Sequence, residues 1–275
     1  MMRTALFGIC LFLFGLCTPG LFARVAFIPI KSIHFEGNTL VGDVKLKSLL
    51  RLSREGHGFT AENLDNDLHR VEMAYRDMGF LQAKVGPPVV EIQIQKNEEV
   101  AVIRIPIAEG SLYRVGQVSI RSAKALSTET LMQMCPLKKG ETYSRTKARQ
   151  WQAQIEEAYR TLGYIKYHGI ARENLSETEG VVDFDLECVE GEPYSVGKIT
   201  IIGDKSIDPN DIKRHLLFSE GRLFNPEMLT LSLQFLNQQG LYGPISHSDV
   251  DISVDEAKNV VDVTLQLRRP KSKSR

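Results

Sequence analysis

The sequence predicts an α+β chain of three tandem β-α-α-β-β units, each a three-stranded sheet packed on two helices. Three observations carry that expectation. Residues 109–120, EGSLYRVGQVSI, recur at 190–201 as EGEPYSVGKITI, with a shared Glu-Gly-x-x-Tyr-x-Val-Gly frame. Ahead of the two copies stand VAVIRIPIAEG and VVDFDLECVEG, which alternate apolar with other residues as a half-buried strand requires. Between and around them, helical patterns closed by glycine recur at a spacing of about 80 residues, the mark of a repeat architecture.

The elements follow in order. Met1-Met2-Arg3 leads into the apolar run Ala5–Leu16, then Thr18-Pro19-Gly20 and Ala23, so residues 1–23 read as a secretory signal peptide. Retention of that run as an N-terminal anchor is the alternative. The first unit, 28–110, opens on the strand pattern Ile33, Phe35, Gly37. A short helix is expected in 41–52 and a turn at Gly58-Phe59. A longer helix then carries Leu64, Leu68, Val71, Tyr75 and Met78 on one face. Gly79 ends it, Leu81–Val85 is expected as the second strand, and Ile103, Ile105 and Ile107 mark the third.

The second unit, 111–191, repeats the scheme. Val118 and Ile120 open it, Ser127 caps the short helix, and Ala148, Trp151, Ile155, Ala158 and Leu162 line the long one. Gly163 stops that helix, Tyr164–Ile170 is the expected second strand, and Phe184, Leu186 and Cys188 lie on the third. In the third unit, 192–269, Ile199 and Ile201 lead to a helix capped by Asp208-Pro209. A less regular helix at 226–239 precedes an expected strand from Ile245 to Val254. A further step of 81 residues aligns Leu265, Leu267 and Arg269 with the earlier third strands, so that a charge ends the repeat. Residues 270–275 form a basic tail, expected as a solvated end.

Composition narrows the chemistry. Thirty-four basic and 34 acidic residues give a formal net charge of zero, without the basic stripe of a nucleic-acid binder. The six histidines lack metal-site spacing. In Ser246-His247-Ser248-Asp249, neighbours on a strand point to opposite faces and form no relay. No catalytic residue, metal ligand, cofactor or small-molecule substrate is therefore expected. Of the mature cysteines, Cys135 and Cys188 either pair, as an exported chain permits, or Cys188 is a small core residue continuing the alternation of its strand.

The ordered β-α-α-β-β units, the Glu190-Gly191-x-x-Tyr194-x-Val196-Gly197 joint and the Gly-aromatic helix ends resemble the tandem POTRA region of the Omp85/BamA family of outer-membrane protein assembly factors. The resemblance covers roughly 28–269. It implies a periplasmic location beside the outer membrane, with at most peripheral membrane contact. It also implies a docking or chaperone-like role toward unfolded outer-membrane proteins or accessory assembly proteins. After residue 269 too little sequence follows for a barrel of eight or more strands, so a separate β-barrel subunit is a further expected partner. An envelope scaffold, for division or secretion, is the alternative reading.

Extended clients would add to the edge of the second strand. The expected edge residues are Leu81, Ala83 and Val85 in the first unit, Tyr164, Lys166 and His168 in the second, and Ile245, His247 and Val250 in the third. Glu109, Gly110, Tyr113 and Gly116, with Glu190, Gly191, Tyr194 and Gly197, are expected to be joints that set the angle between units.

Overall fold

The computed structural model describes residues 27–203, 208–240 and 243–268. The expected signal peptide (1–23) and the expected basic tail (270–275) lie outside the described residues, as does Arg269. Three sheets follow one another along the chain, each with its own core.

In the first unit, β1 (Ile30–Glu36) leads through α1 (Asp43–Leu49) and α2 (Ala61–Asp77) to β2 (Lys84–Val85), β3 (Val89–Gln95) and β4 (Glu98–Ala108). β4 is the central strand, parallel to β1 and antiparallel to β2 and β3. The second unit places β7 (Val181–Val189) between β5 (Arg114–Arg121) and β6 (His168–Ser176), with helices α3 (Thr128–Gln133) and α4 (Arg145–Thr161). The third places β10 (Val260–Gln266) between β8 (Ser195–Ile202) and β9 (Val250–Asp255), with α5 (Pro209–His215) and α6 (Pro226–Gln239). Each unit is thus a sheet with its parallel strand on one side and its antiparallel strand on the other.

Local chemistry explains the helix starts. Ser127 and Asp208 accept hydrogen bonds from the first turns of α3 and α5, as their side chains dictate. Thr60, Ser144 and Asn225 do the same for the three long helices. The apolar stripes form the cores, although in α4 the buried face runs through Tyr159, with Ala158 and Leu162 half-buried.

One residue was hidden within those stripes. The seventh position after each long-helix cap is fully buried and ties down the end of the short helix. Asp67 accepts from the backbone N–H of Arg51, Leu52 and Ser53, at 2.7–3.0 Å. Trp151 Nε1 donates to the Leu131 carbonyl at 3.0 Å, and Ser232 Oγ accepts from Leu217 N at 2.8 Å. Asp67 and Ser232 satisfy N–H groups of the turn that follows the short helix, whereas Trp151 satisfies a carbonyl of the helix's last turn, which has no partner within the helix.

The second strands depart from expectation. Leu81–Val85, Tyr164–Ile170 and Ile245–Val254 shrink or shift to β2 with β3, to β6 and to β9. The chain first makes a turn after each helix, with Ala83 N bonding Phe80 O and Tyr167 N bonding Tyr164 O. Apolar residues there fill the ends of cores, and Pro87-Pro88 separates β2 from β3. In the third unit a 3-10 turn at His247–Asp249 precedes β9.

The third-strand register needs a second correction. Ile33, Val118 and Ile199 pair with Ile103, Phe184 and Val263. Val263 therefore matches Phe184, and Leu267, which is buried, matches Cys188. The 81-residue step overshoots by two. Continuing the register, the sequence counterpart of Glu109 and Glu190 is Arg269. Cys135 and Cys188 are both free thiols, and Cys188 is a core residue whose pKa is pushed up by burial.

Candidate docking edges and the seams between units

Among the described residues, the strand order leaves β3, β6 and β9 bonded on one side only. Their other side presents backbone N–H and C=O groups to solvent, the template on which an extended peptide adds. The opposite edges are partly closed. Turns before the long helices bridge to the starts of β1, β5 and β8, at Pro29–Gly58, Arg114–Thr142 and Ser195–Leu223.

Register decides which edge side chains face the helices. In an antiparallel pair, directly opposed residues share a face. Val90 and Ile92 oppose Ile103 and Ala101, Glu173 and Leu175 oppose Phe184 and Val182, and Ile252 and Val254 oppose Val263 and Val261. Ile92 is 46% exposed, Ile252 47% and Val254 41%, although their partners on the central strands are fully buried. An apolar rim therefore lies beside the helix layer in units one and three.

The expected edge residues fall unevenly against this geometry. Leu81 and Ala83 are buried and lie outside any strand, while Val85 ends the two-residue β2. Tyr164 is half-buried in the turn before β6, Lys166 is exposed there, and His168 begins β6. Ile245 is buried ahead of the 3-10 turn, His247 sits in that turn, and Val250 begins β9. What was missed is chiefly Val89–Gln95. Its own alternation, VVEIQIQ followed by Lys96-Asn97 at positive φ, is the signal of a hairpin strand.

The joint residues separate into three groups. Glu109, 5% exposed, reaches back within its own unit. It accepts from the N–H groups of Thr39, Leu40 and Val41 at 2.7–2.9 Å, and from the Thr39 and Tyr75 hydroxyls at 3.0 Å. Burial alone would raise its pKa. The N–H groups of Leu40 and Val41, with the hydroxyls of Tyr75 and Thr39, outweigh that and hold the carboxyl below its ordinary range. Glu190 repeats the clamp with Lys124 N, Ala125 N and Tyr159 Oη at 2.6–3.0 Å, again with a lowered pKa. Gly110 and Gly191 follow at φ of 69° and 68°, a left-handed turn that glycine makes without strain.

Gly116 and Gly197 lie at bulges where β5 and β8 slip against their partners. There Asp183 Oδ1 accepts from Gln117 N at 2.6 Å, and Asp262 Oδ1 from Lys198 N at 2.5 Å. A methyl at Gly116 would stand 2.2 Å from Asp183 Oδ1. Gly116→Ala is accordingly expected to destabilise the second unit by roughly 1–3 kcal/mol. Thermal unfolding beside Gly42→Ala, where a methyl meets nothing within 4 Å, checks this. Equal losses from the two changes would rule out the close approach as the reason for glycine.

Tyr113 and Tyr194 sit at the seams themselves. Tyr113 N donates to the Gly79 carbonyl of unit one at 2.9 Å, and Tyr194 N to the Gly163 carbonyl of unit two at 2.8 Å. Leu81 enters the core of the second unit, and Ile165 packs against that of the third. Gln82 bonds Glu177 on the next hairpin, and Lys166 pairs with Glu256 on the one after. The first seam has one more tie. Asp77, at the end of α2, accepts from Thr146 N and Thr146 Oγ1 in the first turn of α4, at 2.8 and 2.7 Å. Its counterpart Thr161 bonds within its own helix, to Ala158 O.

Three separately cored α+β modules, joined end to end by a repeated seam and each with one open antiparallel edge, define a tandem β-α-α-β-β array. The chain belongs to the POTRA family, described as surface antigen variable number repeat, which it matches at residues 28–110, 113–190 and 194–269. It is 24% identical over 225 residues to the outer membrane protein assembly factor BamA of Neorickettsia risticii (strain Illinois), covering 78% of this chain and 30% of that protein. It is 25% identical over 245 residues to a putative outer membrane protein assembly factor of Treponema pallidum (strain Nichols), covering 86% and 29%. The chain thus spans about 30% of the length of the curated relatives it matches. Among solved structures, Haemophilus influenzae BamA POTRA3-5 shares the fold, at a TM-score of 0.64 and 17% identity, over 91% of this chain and all of that one.

Proposed function

We propose that this chain is a periplasmic docking module in outer-membrane protein assembly or secretion, holding extended segments of β-barrel precursors or of assembly partners by strand addition. The observation that carries the reading is the set of open antiparallel edges β3, β6 and β9. Main-chain bonds to such an edge supply affinity that tolerates varied sequences, while the rim beside the helices reads alternate side chains. The relatives' naming as outer-membrane assembly factors supports the cellular setting. Accessory assembly proteins are the remaining proposed partners, with the chain held near the outer membrane. The joints at Tyr113 and Tyr194 would set how neighbouring edges are presented.

Photo-crosslinkers at Ile92, Ile170 and Ile252 test the reading, with positions on the helix face of α2 as controls. All three edge residues are substantially exposed. The expected result is capture of unfolded outer-membrane proteins or assembly partners from the edges alone. Equal capture from the helix face, or none from any edge, would overturn it.

A further inference from the structure

The three edges are not chemically alike, and the middle one departs from its neighbours. Where Val90 and Ile252 face the helices in units one and three, the register places Glu173 in unit two. Glu173 is held from two sides. Tyr143, fully buried, donates its hydroxyl at 2.8 Å, and Arg145 in the first turn of α4 reaches both carboxylate oxygens through Nε and Nη2, at 2.5–3.1 Å. The carboxylate is therefore matched in charge by Arg145 alone. One helical turn on, Arg149 adds a second positive charge near Tyr143, and its side chain is exposed.

Counting from the caps Thr60, Ser144 and Asn225, the positions of Arg145 and Arg149 are Ala61 and Asp65 in unit one, and Pro226 and Thr230 in unit three. The rim beside β6 thus carries one more positive charge than its own pair consumes. Beside β3 the corresponding helix position is acidic.

We propose that the β6 edge selects an extended peptide with a carboxylate on the residue that faces α4, whereas β3 and β9 select apolar residues there. This rests on the strand-addition reading above. An apolar side chain laid over Glu173 and Arg145 would strip water from a charged pair and return nothing to it. A carboxylate in the same place meets Arg149 and the outer face of the Arg145 guanidinium, whose planar fork suits it. At β3 the same carboxylate would lie against Val90 and Ile92, with Asp65 repelling it. The array would then hold one client at apolar segments through its outer units and at an acidic segment through its middle one.

Two nine-residue peptides of alternating pattern test this, identical except for Glu or Val at the central positions facing the helix. Each is titrated into the intact, isotope-labelled chain, and amide shifts are followed at β3, β6 and β9. The Glu peptide is expected to bind β6 about tenfold more tightly than the Val peptide, which corresponds to about 1.4 kcal/mol. The order should reverse at β3 and β9. Arg149→Gln, at an exposed position, should reduce the preference at β6 to about threefold or less while the amide pattern of the β6–β7 ladder stays in place. Equal binding of both peptides at β6, with binding retained at the other edges, overturns the charge selection and leaves strand addition standing. Binding at none of the three edges overturns both.

Discussion

Glu109→Gln is expected to lower the stability of the first unit by roughly 3–5 kcal/mol, the range for breaking a buried, hydrogen-bonded charge out of its setting. The carboxylate accepts five hydrogen bonds, three of them from consecutive backbone N–H groups between β1 and α1. A carboxamide keeps one acceptor oxygen and turns an NH2 group toward donors, so even with the oxygen in the Oε2 position the Val41 N–H and the Tyr75 hydroxyl lose their acceptor. Hydrogen bonds to a charged group contribute about 1.5–3 kcal/mol each, and unmet ones carry a desolvation penalty. The pH dependence has a definite sign. Because the folded-state pKa of Glu109 is lowered, its contribution is full above the unfolded value of about 4.3 and is lost as pH falls through the folded value. Denaturant titrations at pH 7 and across pH 2–5 should show a large gap at neutral pH that closes in acid. A variant as stable as the parent at pH 7 would remove Glu109 from the list of structural anchors.

That prediction revises what the repeated frame means. Glu-Gly was legible as a recurring feature because the two copies share six positions in register. Its job was not legible, since the groups it binds lie about 70 residues earlier in sequence and only folding brings them near. The helix stripes and caps were readable because their causes are local: periodicity, a capping side chain, a glycine stop. The second strands were not. Leu81 and Ile245 look like strand residues by alternation, but their burial comes from the neighbouring core or from the turn that precedes the strand. Glu173 was invisible for a related reason. A single acid in HGIARENLS reads as an ordinary solvent-facing residue until the register sets it opposite Phe184 and beside α4.

Leu81→Ala is expected to destabilise the unit that follows it in sequence, by roughly 2–5 kcal/mol. Leu81 belongs by chain order to the first unit, after Gly79 has ended α2. Yet it is 7% exposed, and its neighbours are the core residues of the second unit. Truncation would open a cavity in that core and remove the apolar contact that accompanies the Tyr113–Gly79 backbone bond. Hydrogen exchange should show amides of α4 and β7 losing protection while those of α2 and β4 keep theirs, because cooperative units open separately. Solution scattering should broaden in step, as the first two units lose their fixed angle. Gln82→Ala, which removes only an exposed hydrogen bond to Glu177, should do neither. Ile165→Ala at the second seam should cost less, since Ile165 is only half-buried and the Asp77 cap has no counterpart there. Protection lost in α2 and β4 alone would mean that Leu81 serves its own unit, and the seam would then have to be held by its polar contacts.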